Sequence, residues 1–178
     1  IRRSELRTHA PYTTGTVSIS IGSTTLTGAS TLWTTANSYS ENNARTTGKI
    51  VVNGTSDIYR ISAVGSDTSI TLRNKYVADA AASAATYTYF EDEYALASDF
   101  LRPLDFRSFS TVSEIPLVNR QEFNRRFPRP STSGRPVIAT LLDDGVSGST
   151  APLTYVQFYP YPTTTYIFPY DYITSSVA

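Results

Sequence analysis

Gly15-Thr-Val-Ser-Ile-Ser-Ile-Gly22 decides how the rest of the chain is read. Val17, Ile19 and Ile21 alternate with Thr16, Ser18 and Ser20 at the two-residue period of a half-buried strand. Gly22-Ser23 punctuates, Thr24-Thr-Leu-Thr27 resumes the pattern, and Gly28-Ala-Ser30 breaks it again before Thr31-Leu-Trp-Thr34. Short strands joined by tight turns are expected. The same logic returns at Lys49-Ile-Val-Val, where Asn53-Gly54 can adopt the positive φ angles of a turn, and at Ile58-Tyr-Arg-Ile-Ser-Ala-Val64. Gly65-Ser-Asp-Thr68 makes a further turn, and Ser69-Ile-Thr-Leu-Arg73 then alternates as a strand with one wet face. Thr86-Tyr-Thr-Tyr-Phe90 closes the series. These runs predict an antiparallel meander or barrel-like module over residues 12–93. Its expected core is Leu26, Trp33, Ile50, Val52, Ile58, Ile61, Val64, Ile70 and Leu72, with the single tryptophan as a core residue rather than a ligand platform.

On either side the signal changes. Residues 1–11 form a basic segment that looks like the tail of a helix, ended by Ala10-Pro11. The start at Ile1 and the absence of methionine lead to the expectation that sequence is missing ahead of it, with the end at Ala178 left open. Residues 35–45 read as a long polar surface loop, and the alanine-rich stretch 78–85 as a small-residue loop. Glu91-Asp92-Glu93 reads as a solvated boundary. Residues 94–178 are expected to form a smaller β-rich segment with one short helix, near residues 117–127. There Val118, Phe123 and Phe127 lie at helical spacing, with acids early and arginines late. Strands are expected over Val137-Ile-Ala-Thr-Leu-Leu142, Leu153-Thr-Tyr-Val-Gln-Phe-Tyr159 and the tyrosine-rich end. Pro160 and Pro162 confine the last strands to edges or bulges.

With 178 residues the chain can bury roughly two thirds of its extended surface. No cysteine is present, so disulfides and thiolate metal sites are excluded, and no apolar run is long enough for a spanning helix. The only histidine, His9, sits in the basic segment away from any triad or ligand pattern. Asp143-Asp144-Gly145 lacks the alternating acids of a calcium loop and reads as a turn. Glu91 and Glu93 do not form the spaced pair of a glycosidase. No catalytic residue, metal or cofactor is therefore assigned. Formal charge is zero, but residues 102–135 hold seven arginines against three acids. Within them Arg120, Arg125, Arg126 and Arg129, with Arg135 nearby, are the candidates for a subunit interface or a DNA channel. Their partners would be a neighbouring subunit, or Asp143, Asp144 and Asp171, or a nucleic-acid backbone.

The order of parts resembles a known family. Tyr12-x-x-Gly15-Thr16-Val17, Gly28-x-x-Thr31-x-Trp33, Tyr59-x-Ile61 and Thr71-Leu72 resemble the β insertion of head-to-tail adaptor, or connector, proteins of tailed bacteriophages. So do Tyr94-x-Leu96-x-x-Asp99-Phe100, Gly134-x-Pro136 and Phe158-Tyr-Pro-Tyr-Pro162 further on. The resemblance implies a non-enzymatic virion protein, assembled in the host cytoplasm, in a neck ring of about a dozen copies of itself. Its implied partners are the portal protein, a tail or nozzle protein and viral DNA passing non-specifically through the lumen, with no membrane. Such adaptors carry ring-building helices at both ends, of which only residues 1–8 could be a remnant here. A rival is a tail or fibre component binding a receptor or glycan near Tyr155, Tyr159 and Tyr161. A second is a β-rich hydrolase using Asp99, Glu91 or Glu93.

Overall fold

The computed structural model describes residues 1–106, 114–143 and 154–174. In chain order the elements are β1 (Arg2–Arg7), β2 (Thr16–Ile19), β3 (Thr25–Ala29), β4 (Lys49–Val52), β5 (Tyr59–Ser66), β6 (Ser69–Leu72), β7 (Ala82–Ala85) and β8 (Tyr87–Phe90). There follow β9 (Glu93–Ala95), β10 (Phe100–Phe106), α1 (Arg120–Arg126), β11 (Ser133–Gly134), β12 (Ile138–Asp143), β13 (Thr154–Tyr159), β14 (Tyr161–Pro162) and β15 (Ile167–Thr174). The chain is mainly β, and it divides into two compact units. An inserted unit spans Pro11–Glu91; a flanking unit combines Ile1–Ala10 with Asp92–Ala178.

The inserted unit is one seven-stranded antiparallel sheet, ordered β7-β2-β3-β6-β5-β4-β8 and curled as a half-barrel. Its two edge strands are consecutive in sequence, with only Thr86 between them. Alternation places Val17, Ile19, Leu26, Ile50, Val52, Ile61, Ile70 and Leu72 inside, with Trp33 fully buried among them. Four tyrosines, Tyr59, Tyr76, Tyr87 and Tyr89, complete that core. Two expected core positions differ. β5 begins one residue after Ile58, so Tyr59 and Ile61 take the inward positions and Ile58 is half-buried. Register shifts after Ile61 and Val64 leave Val64 only partly covered.

Other expectations in this unit are corrected by local geometry. β2 stops at Ile19, so Ile21 lies in the following turn and is exposed. Residues 31–34 are not a strand: Ser30 and Leu32 have φ of 57° and 51°, and the chain turns there. Part of the alanine-rich stretch is a strand after all, because β7 pairs antiparallel with β2, Val17 opposite Ala85. A small-residue edge strand carries too little apolar area to show in a periodicity reading.

In the flanking unit, the basic N-terminal segment is β1 and not a helix. It pairs antiparallel with β15, Arg2 opposite Tyr172 through Arg7 opposite Ile167. Leu6 is its buried side chain, packed with Phe168, Tyr170 and Tyr172. The sheet order is β1-β15-β10, so β15 is central despite Pro169. The described ladder to β10 runs from Tyr170 to Thr174, and Pro169 lies opposite Glu5 of β1. A second sheet, β12-β13-β9, shares the core through Ala139, Val156, Phe158 and Tyr94. Strand β11 pairs with β14 in a two-residue parallel ladder.

Candidate functional site

Helix α1 carries three of the arginines singled out by charge. Asn119 caps it, its side chain accepting from the Glu122 N–H at 2.8 Å. Phe123 is buried and anchors the inner face, while Phe127 stacks on Tyr159 with ring centroids 3.7 Å apart. Arg120, Arg125 and Arg126 are all exposed, and Arg129 is exposed just beyond the helix. Glu122 lies between two of them: Arg125 donates to it at 3.2 Å and Arg126 at 2.7 Å. The hydrogen bonds from Arg126, its charge and then Arg125 hold the Glu122 carboxyl below the usual carboxylate range. Arg135 stands apart, half-buried, with its guanidinium 5.9 Å from the centre of the Tyr166 ring.

Asp171 accepts two bonds from Arg3, at 2.8 and 3.0 Å. The acid beside Arg125 and Arg126 is instead their own helix's Glu122. Asp143 ends β12, and Asp144 with the expected turn around it lies outside the described residues.

Glu91, Asp92 and Glu93 are all buried, which overturns the solvated-boundary reading. The reason is partners supplied by distant residues. Glu91 takes the Arg45 Nε–H at 2.7 Å and the Tyr89 hydroxyl. Asp92 accepts from Gln157 at 2.8 Å, and its carbonyl receives the Phe158 N–H at 2.8 Å. Glu93 pairs with Gln157 across β9 and β13. Burial, then the charge of Glu91, pushes the Tyr89 hydroxyl well above its ordinary pKa. Asp99 is held by Arg2 at 2.9 Å and by the Tyr172 hydroxyl at 2.8 Å. Of the tyrosines proposed as a sugar platform, Tyr159 is stacked by Phe127 and Tyr161 is buried. His9 stacks on Tyr94 at 5.9 Å. No cluster of three or more metal-ligating side chains occurs among the described residues. A depression of about 520 Å³ on the inserted unit is lined by Ser18, Ser20, Thr25, Thr27 and Ser83, hydroxyls without a titratable group.

One organised feature was not legible as such. Residues 35–45, expected as a long polar surface loop, fold with Trp33 and Thr34 into a hairpin. Ala44 N–H bonds to the Trp33 carbonyl at 2.9 Å, Asn43 N–H to Thr35 at 3.2 Å, and Asn37 N–H to Glu41 at 2.7 Å. Asn37 also caps the tip, its side chain accepting from the Tyr39 and Glu41 N–H groups at 2.9 and 3.2 Å. Both legs are clamped from the sheet. On one, Asp67 receives the N–H and hydroxyl of Thr34 at 2.7 and 2.8 Å and the N–H of Thr35 at 2.9 Å. Bonds from Thr34 and then Thr35 lower the Asp67 pKa, outweighing its slight burial. On the other, Arg45 reaches Glu91, Glu41 at 3.4 Å and the Asn42 carbonyl at 3.1 Å. The only sequence clue was the density of Asn, Ser and Thr, which make such local bonds.

Comparison with protein-family models, with curated proteins and with solved structures found no match for this chain.

Proposed function

We propose that this chain is a non-enzymatic subunit of a head-to-tail connector of a tailed bacteriophage, one of many copies packed side by side in a ring between portal and tail. The reading rests on insertion. An all-β unit, Pro11–Glu91, interrupts a second unit whose two segments pair through β1 and β15. The chain enters and leaves it at adjacent points, where Tyr12 and Tyr89 exchange backbone hydrogen bonds, each 2.9 Å. A β insertion of this kind is what the motif order from Tyr12 to Leu72 implies. The exposed arginines of α1 and Arg129 provide a basic surface for a neighbouring subunit or for phosphates in the lumen, moderated by Glu122.

Direct imaging of the assembled protein by electron microscopy tests the proposal. A closed ring of about a dozen copies coaxial with a portal is expected. A monomer would overturn it, and a trimer would move the assignment to a fibre or binding module.

A further inference from the structure

Among the asparagines of the chain only Asn53 is followed by glycine. Both residues are exposed and lie in the turn that ends β4. The Thr55 N–H and hydroxyl bond to the Val52 carbonyl, at 3.0 and 2.8 Å, closing a turn with Asn53 and Gly54 at its centre. Gly54 has a φ of 90°, and the space where a side chain would stand holds nothing within 4 Å. Its N–H makes no hydrogen bond among the described residues. An unhindered backbone nitrogen therefore sits next to a side-chain amide.

That amide lies at a structural seam. Its Nδ2 donates to the Thr86 hydroxyl at 2.9 Å, its Oδ1 receives the Thr88 hydroxyl at 3.5 Å, and the Asn53 N–H bonds to the Thr86 carbonyl at 2.9 Å. Thr86 is the single residue between β7 and β8, the two edge strands of the sheet. Asn53 thus extends the β4–β8 ladder one step past Val52 and Tyr87, and pins the point where the chain passes from one edge to the other. The threonine hydroxyls also bear on reactivity: one polarises the amide carbonyl, and the other stands at the nitrogen that would depart. The remaining asparagines precede Ser, Asn, Ala, Lys or Arg, whose side chains crowd the following nitrogen, and Asn37 and Asn119 are committed as caps.

We propose that Asn53-Gly54 is a site of spontaneous covalent modification, a slow chemical timer placed on this seam. The Gly54 nitrogen loses its proton to hydroxide and attacks the Asn53 Cγ. A C–N bond forms, the bond to Nδ2 breaks, and that nitrogen takes a proton from water and leaves as ammonia. Water then opens the five-membered succinimide at either carbonyl. One opening gives aspartate on the ordinary backbone, and the other carries the backbone through the side-chain carboxyl as isoaspartate. Nothing is oxidised or reduced. Aspartate adds a negative charge but still accepts from both threonine hydroxyls. Isoaspartate also inserts a methylene into the backbone between Val52 and Thr55, which breaks the turn that those two residues close.

Full-length protein is aged at mildly alkaline pH beside the same chain unfolded in urea, and peptide mapping by mass spectrometry follows every asparagine. Asn53 is expected to convert ahead of the others, with isoaspartate among its products. Its native rate should lie within about tenfold of the unfolded rate, an opening cost of no more than about 1.4 kcal/mol. A slower native rate overturns the inference, as does aspartate without isoaspartate, the product of direct amide hydrolysis. Isomerisation at Asp144-Gly145 releases no ammonia and maps to a different peptide. Gly54→Ala, with retained β-sheet circular dichroism, should slow conversion by about tenfold or more, because its methyl hinders the attacking nitrogen. An unchanged rate excludes that nitrogen as the nucleophile. Hydrogen exchange at Thr55 should be faster in the isoaspartate fraction than in fresh Asn53→Asp protein; equal exchange overturns the loosening of the turn.

Discussion

Trp33→Ala tests whether the inserted unit is organised as its packing indicates. The indole is fully buried in a core of aliphatic and tyrosine side chains. Its N–H donates to the Tyr87 hydroxyl at 2.9 Å, and the two rings meet edge to face at 5.9 Å. Tyr87 in turn donates to the Thr14 carbonyl at 2.8 Å, linking the core to the segment just before β2. Truncation should cost about 3–5 kcal/mol from lost burial and the residual cavity. For a unit of this size that is a fall in Tm of at least about 12 °C. Trp33→Phe keeps most of the packing and removes the N–H, so it should cost about 1–2 kcal/mol. A double-mutant cycle of Trp33→Phe with Tyr87→Phe should show a coupling of about 0.5–1.5 kcal/mol. The assay is thermal unfolding followed by circular dichroism, with hydrogen exchange assigning the loss to residues 11–91. A shift of less than about 3 °C for Trp33→Ala would refute the reasoning.

Burial raises the pKa of Tyr87, Tyr89 and Tyr161 above the ordinary phenol value. A raised phenol pKa gives stability that is complete below about pH 10, where the unfolded phenol is still protonated, and is lost as pH rises toward the folded value. Alkaline unfolding accompanied by late, cooperative phenolate absorbance is expected; gradual titration of all the tyrosines without unfolding would contradict it. At the acid end, Asp67 has a depressed pKa, so its contribution holds above the ordinary aspartate range and fades as pH falls through the folded value. Asp67→Asn should speed hydrogen exchange in the hairpin with little effect in the flanking unit, and unchanged exchange would show that the clamp is not needed. Gly48→Ala would drive a methyl into the Tyr89 ring, which Glu91 and the Arg45 N–H hold in place, so a loss of about 1–3 kcal/mol in denaturant unfolding is expected. Glu122→Gln frees Arg125 and Arg126; if those side chains meet phosphate, DNA retention rises with a steeper salt dependence, and an unchanged salt slope excludes that contact.

Strands with large alternating side chains were legible in the sequence: β2, β4, β5, β6 and β8 lie close to their apolar runs, because period two and burial on one face are the same fact. Helix α1 was legible through early Glu122, the late arginines and the Phe123/Phe127 spacing, although it starts at Arg120 and not near residue 117. What failed depended on partners far along the chain. Arg2–Arg7 has no apolar period because only Leu6 is buried, and β15 makes it a strand. The acids at 91–93 resembled a solvated run because Arg45 and Gln157 lie tens of residues away. The arginines were legible as a charge excess, but their damping by Glu122 depends on helical reach between positions three and four apart. The hairpin escaped because its order comes from polar clamps, which leave no hydrophobic period.

The Tyr12–Tyr89 junction also fixes how force would travel. Tension applied along the backbone of the flanking unit enters the insertion at Tyr12 and leaves at Tyr89, residues already joined by two hydrogen bonds. While those bonds hold, the load passes across them and the curled sheet between them is mechanically shielded. Once they part, the load falls on the ladders that hold β2 and β8 in the sheet, so this short clasp is the first of the unit's contacts to bear it.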